Sequence, residues 1–187
     1  MKASLRVLLA ALLACFLSAC PETTVDDDFG SKPSALKPDD WSGGWMAIDD
    51  DDVMHFTIAD AENGVLLMTE PGDKDEKPVE FRLRRASADD QSGLLFALIT
   101  EKDVKPVRNT LHLLRESDEG VLLVWSIDDE AVAKAIQAGQ LKGTTERVKN
   151  DPHNHLASDA GNASKLLAPQ FWRWTEPAIL KRSPEKK

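Results

Sequence analysis

The passage Asp151-Pro152-His153-Asn154-His155 places two imidazoles and a carboxylate within five residues. Those are groups that hold a transition metal. In an extended segment His153 and His155 project to the same side, because side chains alternate along a strand. The other histidines, His55 and His112, fall in separate segments and supply no third ligand. Zinc needs three or four protein ligands, so no metal is expected here. Asp49-Asp50-Asp51-Asp52 offers oxygens to a hard cation, but a calcium loop spaces its ligands alternately, turns at a Gly and closes on a Glu. The run therefore reads as a solvated turn. Asp26 to Gly30 fails the same test, since Lys37 stands where the closing Glu would be. There is no Gly-x-Ser-x-Gly elbow, no His-Glu-x-x-His and no phosphate-binding Gly-rich loop. The carboxylates sit in turns, where solvated acids are ordinary. The chain reads as a non-enzyme without a cofactor.

Chemistry of another kind stands at the front of the chain. Lys2 and Arg6 precede an apolar run from Val7 to Leu17, and the small pair Ser18-Ala19 stands directly before Cys20. A basic start, a short apolar middle and small residues before a cut make a secretory signal. The run is too short to cross a bilayer as a helix. Leu17-Ser18-Ala19-Cys20 resembles the lipobox of bacterial lipoproteins. The resemblance implies cleavage of residues 1–19 and acylation of Cys20, which becomes the first residue of the mature protein. Two or more acyl chains anchor a protein stably, whereas one holds it marginally. Pro21 is not the Asp that marks inner-membrane retention in such lipoproteins, so the resemblance implies the outer membrane, facing the periplasm.

The second cysteine, Cys15, lies within the signal, so the mature chain can form no internal disulfide and depends on its apolar core. The net charge is −9, and losing Lys2 and Arg6 makes it −11. That balance excludes a nucleic-acid binder, whose surface must be basic, and disfavours lying flat on anionic lipid. It suits a cationic protein partner in the envelope, approached by electrostatic steering. Acids for that purpose lie in three turns: Asp49 to Asp52; Asp73, Asp75 and Glu76; and Asp89-Asp90.

Residues 20–40 read as the lipidated cysteine and a flexible acidic tether, rich in Pro and Asp and poor in core residues. As a coil it would reach roughly 25 Å, and near 65 Å fully stretched. Residues 41–176 read as a single β-rich domain and residues 177–187 as a basic tail. Strands are expected over Gly44–Ile48, Val53–Ile58, Val65–Thr69, Val79–Arg85, Leu94–Thr100, Thr110–Arg115 and Val121–Ser126. Asn63-Gly64 marks a tight hairpin. Leu94–Thr100 is apolar enough for burial on both faces. Phe56, Phe81 and Trp125 are expected inside. Asp128 can cap a helix with Val132, Ala135 and Ile136 on one stripe and Gly139 as its stop. An eighth strand over Gly143–Val148 and a weaker helix over Ala163–Leu167 follow. The fold is expected to be mainly β with minor α: an antiparallel meander of seven to eight strands, with one or two helices near the C-terminus.

Two resemblances bear on this domain. Ala135-Ile136 and Gly139-Gln140-Leu141-Lys142-Gly143, after a Trp-rich meander, resemble a family of small bacterial lipoproteins for which no activity is implied. Gly43-Gly44-Trp45 is similar to the Gly-x-Trp motif on the first strand of lipocalin-like barrels, whose late arginine packs on that tryptophan. Arg173 and Arg182 are the candidates for that arginine. The chain differs from lipocalins in lacking Tyr and in placing a helix before its last strand. Trp41, Trp45, Trp125, Trp172 and Trp174 are expected to fill the core; the alternative is the lining of an apolar cavity. The expected function is a lipid-anchored envelope binding or assembly protein. The alternatives are a lipocalin-like carrier of an apolar small molecule and an inhibitor of a cationic envelope enzyme such as lysozyme.

Overall fold

The computed structural model describes residues 21–48, 53–69, 77–87, 93–100, 108–117 and 120–183. The lipobox, Cys20 and the acids at 49–52, 73, 75, 76, 89 and 90 lie outside them. Eleven strands form one sheet: Glu22–Val25 (β1), Gly43–Ala47 (β2), Val53–Asp60 (β3), Val65–Thr69 (β4), Val79–Arg85 (β5), Leu94–Thr100 (β6), Asn109–Glu116 (β7), Val121–Ser126 (β8), Gly143–Val148 (β9), Asp151–Leu156 (β10) and Ala178–Arg182 (β11). Helical turns cover Pro38–Trp41 (α1), Asp129–Gln137 (α2) and Ala160–Lys165 (α3), with a 3-10 turn at Pro169–Phe171.

Eight of the strands close into an antiparallel barrel. β2 to β8 run as a meander, and β7 pairs on with β6 through Leu95–Leu114, Ala97–His112 and Ile99–Thr110. β11 returns between β8 and β2, with Leu180 opposite both Leu122 and Ala47. Period-two alternation fills the lumen: Trp45, Phe56, Leu66, Met68, Leu83, Leu95, Ala97, Leu114 and Leu122 form one buried cluster drawn from strands on opposite sides. β3 does turn into β4 at Asn63-Gly64, but through a four-residue loop, 61–64, and not a two-residue turn: Asn63 keeps a negative φ and its side chain donates to Asp60 at 2.8 Å. Gly64 has a φ of 68°, and a Cβ there would collide with the carbonyl oxygens of Leu83 and Ser34.

A second core covers the outer face of β6, β7 and β8. Phe96, Leu98, Leu111, Leu113 and Trp125 meet Val25, Phe29, Val132, Leu156, Leu166, Phe171 and Trp172. β6 and β7 are thus buried on both faces. Phe56 and Phe81 do face the lumen, in edge-on contact with ring centres 5.7 Å apart. Trp125 is buried in the outer core instead, 4.8 Å from the Trp174 ring. Asp128 caps α2 by accepting from the Ala131 amide at 3.0 Å, and Gly139 closes it with a φ of 68°. α3 begins earlier than expected because Asp159 caps it through the Gly161 amide, at 2.7 Å.

Two boundary expectations are corrected. Residues 20–40 are not a tether in the part that the structure describes. β1 pairs in parallel with β10 and antiparallel with β7. Thr23, Thr24, Val25, Phe29 and Leu36 are buried, and residues 31–34 pair through their backbone with Leu83 to Arg85 of β5 as a strap. The prolines and aspartates suggested coil, yet the β-branched Thr23-Thr24-Val25 are strand formers and the acids find partners. Asn109 donates to Asp27 at 2.9 Å, and Arg82 pairs with Asp27 at 2.9 Å. Nor is 177–187 simply a basic tail, because Ala178–Arg182 is the strand that closes the barrel. The domain therefore spans β1 to β11, not residues 41–176.

Burial of a large ring in the outer core sets a stability test. Trp125→Ala is expected to cost roughly 3–5 kcal/mol in denaturant unfolding. A loss below about 1 kcal/mol would mean that the ring contributes no more than a surface residue.

Candidate binding site in the barrel

The barrel has two unlike ends. One carries the turns at 61–64 and 117–120. It is sealed from inside by Leu36, Trp41 and Trp45. α1 brings Trp41 under the barrel, and the Trp45 indole donates to the Trp41 carbonyl at 3.2 Å. Arg182 is the arginine that packs on Trp45, its guanidinium 4.9 Å from the ring centre. Its nitrogens donate to the carbonyl oxygens of Ser42, at 2.9 Å, and Asp39. Arg173 does not take this place.

At the other end the connections are residues 49–52, 70–76 and 101–107, outside the described residues. The lumen-facing side chains of this loop end are only partly buried: Met54, Val79, Phe81, Val124 and Leu180 keep accessible surface, as does Ile99. Among them stand Thr110 and His112, on the same face of β7. The Thr110 hydroxyl and His112 Nδ1 are buried and find no hydrogen-bond partner among the described residues. His112 is half-buried as a residue, and its Nδ1 atom is buried. Its cross-strand neighbours are small, Ala97 on β6 and Ser126 on β8.

Burial holds the His112 imidazole down at about 4. It is therefore neutral near pH 7, with one nitrogen to donate and one to accept. Orphaned buried polar atoms are rare and call for a partner such as a water or a ligand. An eight-stranded barrel is just wide enough to be filled by side chains or to hold one small ligand. Here the loop-end half combines partly buried apolar walls with two polar groups, Thr110 and His112. The arrangement can hold an apolar body and one hydrogen-bonding head. It offers no nucleophile-base pair among the described residues.

Sequence alternation conceals this site. Thr110 and His112 alternate with Leu111 and Leu113, which reads as a polar face toward solvent. Barrel closure and the outer core turn that face inward. The tryptophans resolve similarly: Trp41, Trp45, Trp125 and Trp172 are core residues, and Trp174 is half-buried against the outer core.

Two other groups of polar residues lie elsewhere. His153 and His155 do project to one side of β10, and each meets an acid from the β1 segment. His155 Nε2 lies 3.4 Å from Asp26, and His153 Nδ1 lies 3.9 Å from Glu22. His155 Nδ1 also meets the Thr24 hydroxyl at 3.1 Å. Among the described residues no three His, Cys, Asp or Glu side chains gather as metal ligands. Outside the sealed end lies a polar cleft of about 410 Å³ lined by Asp39, Asp40, Glu116, Ser117, Gly120 and Arg182.

The depressed basicity of His112 predicts a pH response. Its folded value, about 4, lies below its ordinary 6.5. Below pH 6.5 the unfolded chain takes up a proton that the folded chain refuses. Stability present above 6.5 is lost as the pH falls through 4, by about 3 kcal/mol in all. His112→Leu is expected to lose that part of the acid slope in urea denaturation between pH 7 and 4.5; identical slopes in both proteins would contradict an enclosed imidazole. Comparisons of the chain with protein-family models, with curated proteins and with solved structures return no match.

Proposed function

We propose that this is a lipid-anchored, non-catalytic binding protein of the bacterial cell envelope that holds a small apolar molecule in the loop-end half of its barrel. One observation carries the choice of ligand. The lumen walls there are apolar and incompletely covered, and beside them the buried His112 Nδ1 and Thr110 hydroxyl find no hydrogen-bond partner among the described residues. Ligand sites have this character, being mostly apolar with a few placed polar groups. The envelope location rests on Leu17-Ser18-Ala19-Cys20, with Pro21 favouring the outer membrane and the periplasmic side. The Arg182-Trp45 seal is what lipocalin-like barrels would use, and it supports the carrier reading at the level of fold alone.

A second reading has its own observation. The cleft outside the sealed end gathers Asp39, Asp40 and Glu116, a concave acidic surface suited to a cationic protein partner. Such binding would weaken steeply with salt.

The test uses the unlipidated chain from Pro21, titrated with dodecanoate and with an apolar fluorescent dye. Binding is expected to persist in added salt. Val124→Trp, which fills the lumen, is expected to weaken it at least about tenfold, or ~1.4 kcal/mol, with a cooperative unfolding transition retained. Unchanged affinity in that variant would remove the lumen as the site. Salt-sensitive capture of a basic envelope protein, lost in a Glu116→Lys variant, would favour the cleft.

A further inference from the structure

The position of β1 bears on how the protein meets a membrane. Cys20 is two residues from Glu22, so its α-carbon lies within roughly 7 Å of that residue. Glu22 is no longer the start of a free tether. It is paired in register with His153, and Thr23 to Val25 are pinned between β10 and β7. The Thr23 hydroxyl donates to the buried Asp129 carboxylate at 2.7 Å, and the Asn154 amide donates to the Thr23 hydroxyl at 3.0 Å. An acyl group on Cys20 is therefore leashed to a fixed point on the outer layer.

Beside that point stands the β9–β10 hairpin. Asp151, two residues before His153, pairs with Val148 across a turn made by Lys149 and Asn150. Both turn residues hold positive φ, 52° and 80°. Val148 is 42% exposed, and among the described residues only Ile48 is a comparably exposed large apolar side chain. Lys149 is exposed next to it. Arg147 is occupied by Glu130, at 2.9 Å, and by the Asn150 carbonyl. With Glu146 and Asp151 alongside, the tip carries balanced charge, so attraction to anionic lipid does not drive its contact. The leash does.

We infer that the tip of the β9–β10 hairpin, Val148 with Lys149 and Asn150, is a membrane-resting surface held against the lipid headgroups by acylated Cys20. The inference builds on the lipidation part of the proposed function. The valine can enter the interface, and the lysine stem can lie over it with its ammonium among the phosphates. The domain then sits on the bilayer by one flank and does not range over the length of a tether.

The full lipidated chain provides the test. Its acylated Cys20 leaves no free thiol, so Val148→Cys introduces a unique one for an environment-sensitive fluorophore. Glu62→Cys serves as the control, because the β3–β4 turn lies three to four strands round the barrel from β7, the strand through which β1 and the hairpin join it. Each labelled protein is bound to phosphatidylcholine vesicles carrying a nitroxide at the headgroup. The label at 148 is expected to be quenched several-fold more than the label at 62, with no change on adding anionic lipid. Equal quenching in proteins that float with the vesicles would overturn the inference while leaving lipidation standing. Failure to float would overturn lipidation itself and the inference with it.

Discussion

Closure of the barrel rests on one late strand and one side chain. A meander of seven strands leaves two raw edges, β2 and β8, and a lumen open along its side. β11 must return from the helical excursion to fill that gap. Its register places Arg182 over Trp45 and against the carbonyl oxygens of α1. The cation-ring contact is worth about 0.5–2 kcal/mol. Its larger effect is geometric, because it fixes the strand, the α1 plug and the first barrel strand to one another. Both cysteines, Cys15 and Cys20, precede β1, so no disulfide braces the described residues, and that joint and the two apolar cores hold them together.

The outer core depends on this closure and in turn shapes the lumen. β6 and β7 are buried on both faces because β1, α2 and the C-terminal turns pack over them. The cover is held by a buried polar junction. Asp129 accepts from Thr23, and Asn154 donates to both Thr23 and the Asp129 carbonyl. Burial raises the Asp129 carboxyl against the pull of Thr23 and Arg173. The satisfied partners make this junction tolerable in a dry setting. Behind it, His112 shares the inner face of β7 with Thr110 and Leu114.

Much of the barrel was legible in the sequence. β4, β5, β6 and β8 fall on the expected residues, since alternation or an apolar run marks each, and β9 falls on its expected residues in the outer layer. Asp128 and Gly139 bracket α2 for the same reason, as the cap chemistry is local. Three strands were not legible. β1 lies among prolines and aspartates that resemble coil, and only its pairing with distant β7 and β10 makes Thr23 to Val25 core. β10 contains Pro152 and two histidines, which drew attention to metal chemistry instead. β11 is short and basic, and its place between β8 and β2 is a property of closure. Of the candidate site, the apolar lumen residues followed from alternation, but the inward turn of His112 did not, because alternation alone cannot say which face is wet.

On the proposed carrier reading, cargo in the loop-end half would touch His112 and Thr110. The most direct measurement is the side-chain nitrogen resonances of His112, His153 and His155 by NMR, recorded on the free chain and with saturating dodecanoate. The account expects the His112 nitrogens to shift and to remain neutral, while those of His153 and His155 on the outer layer stay in place. Dodecanoate binding that leaves His112 unmoved would contradict it.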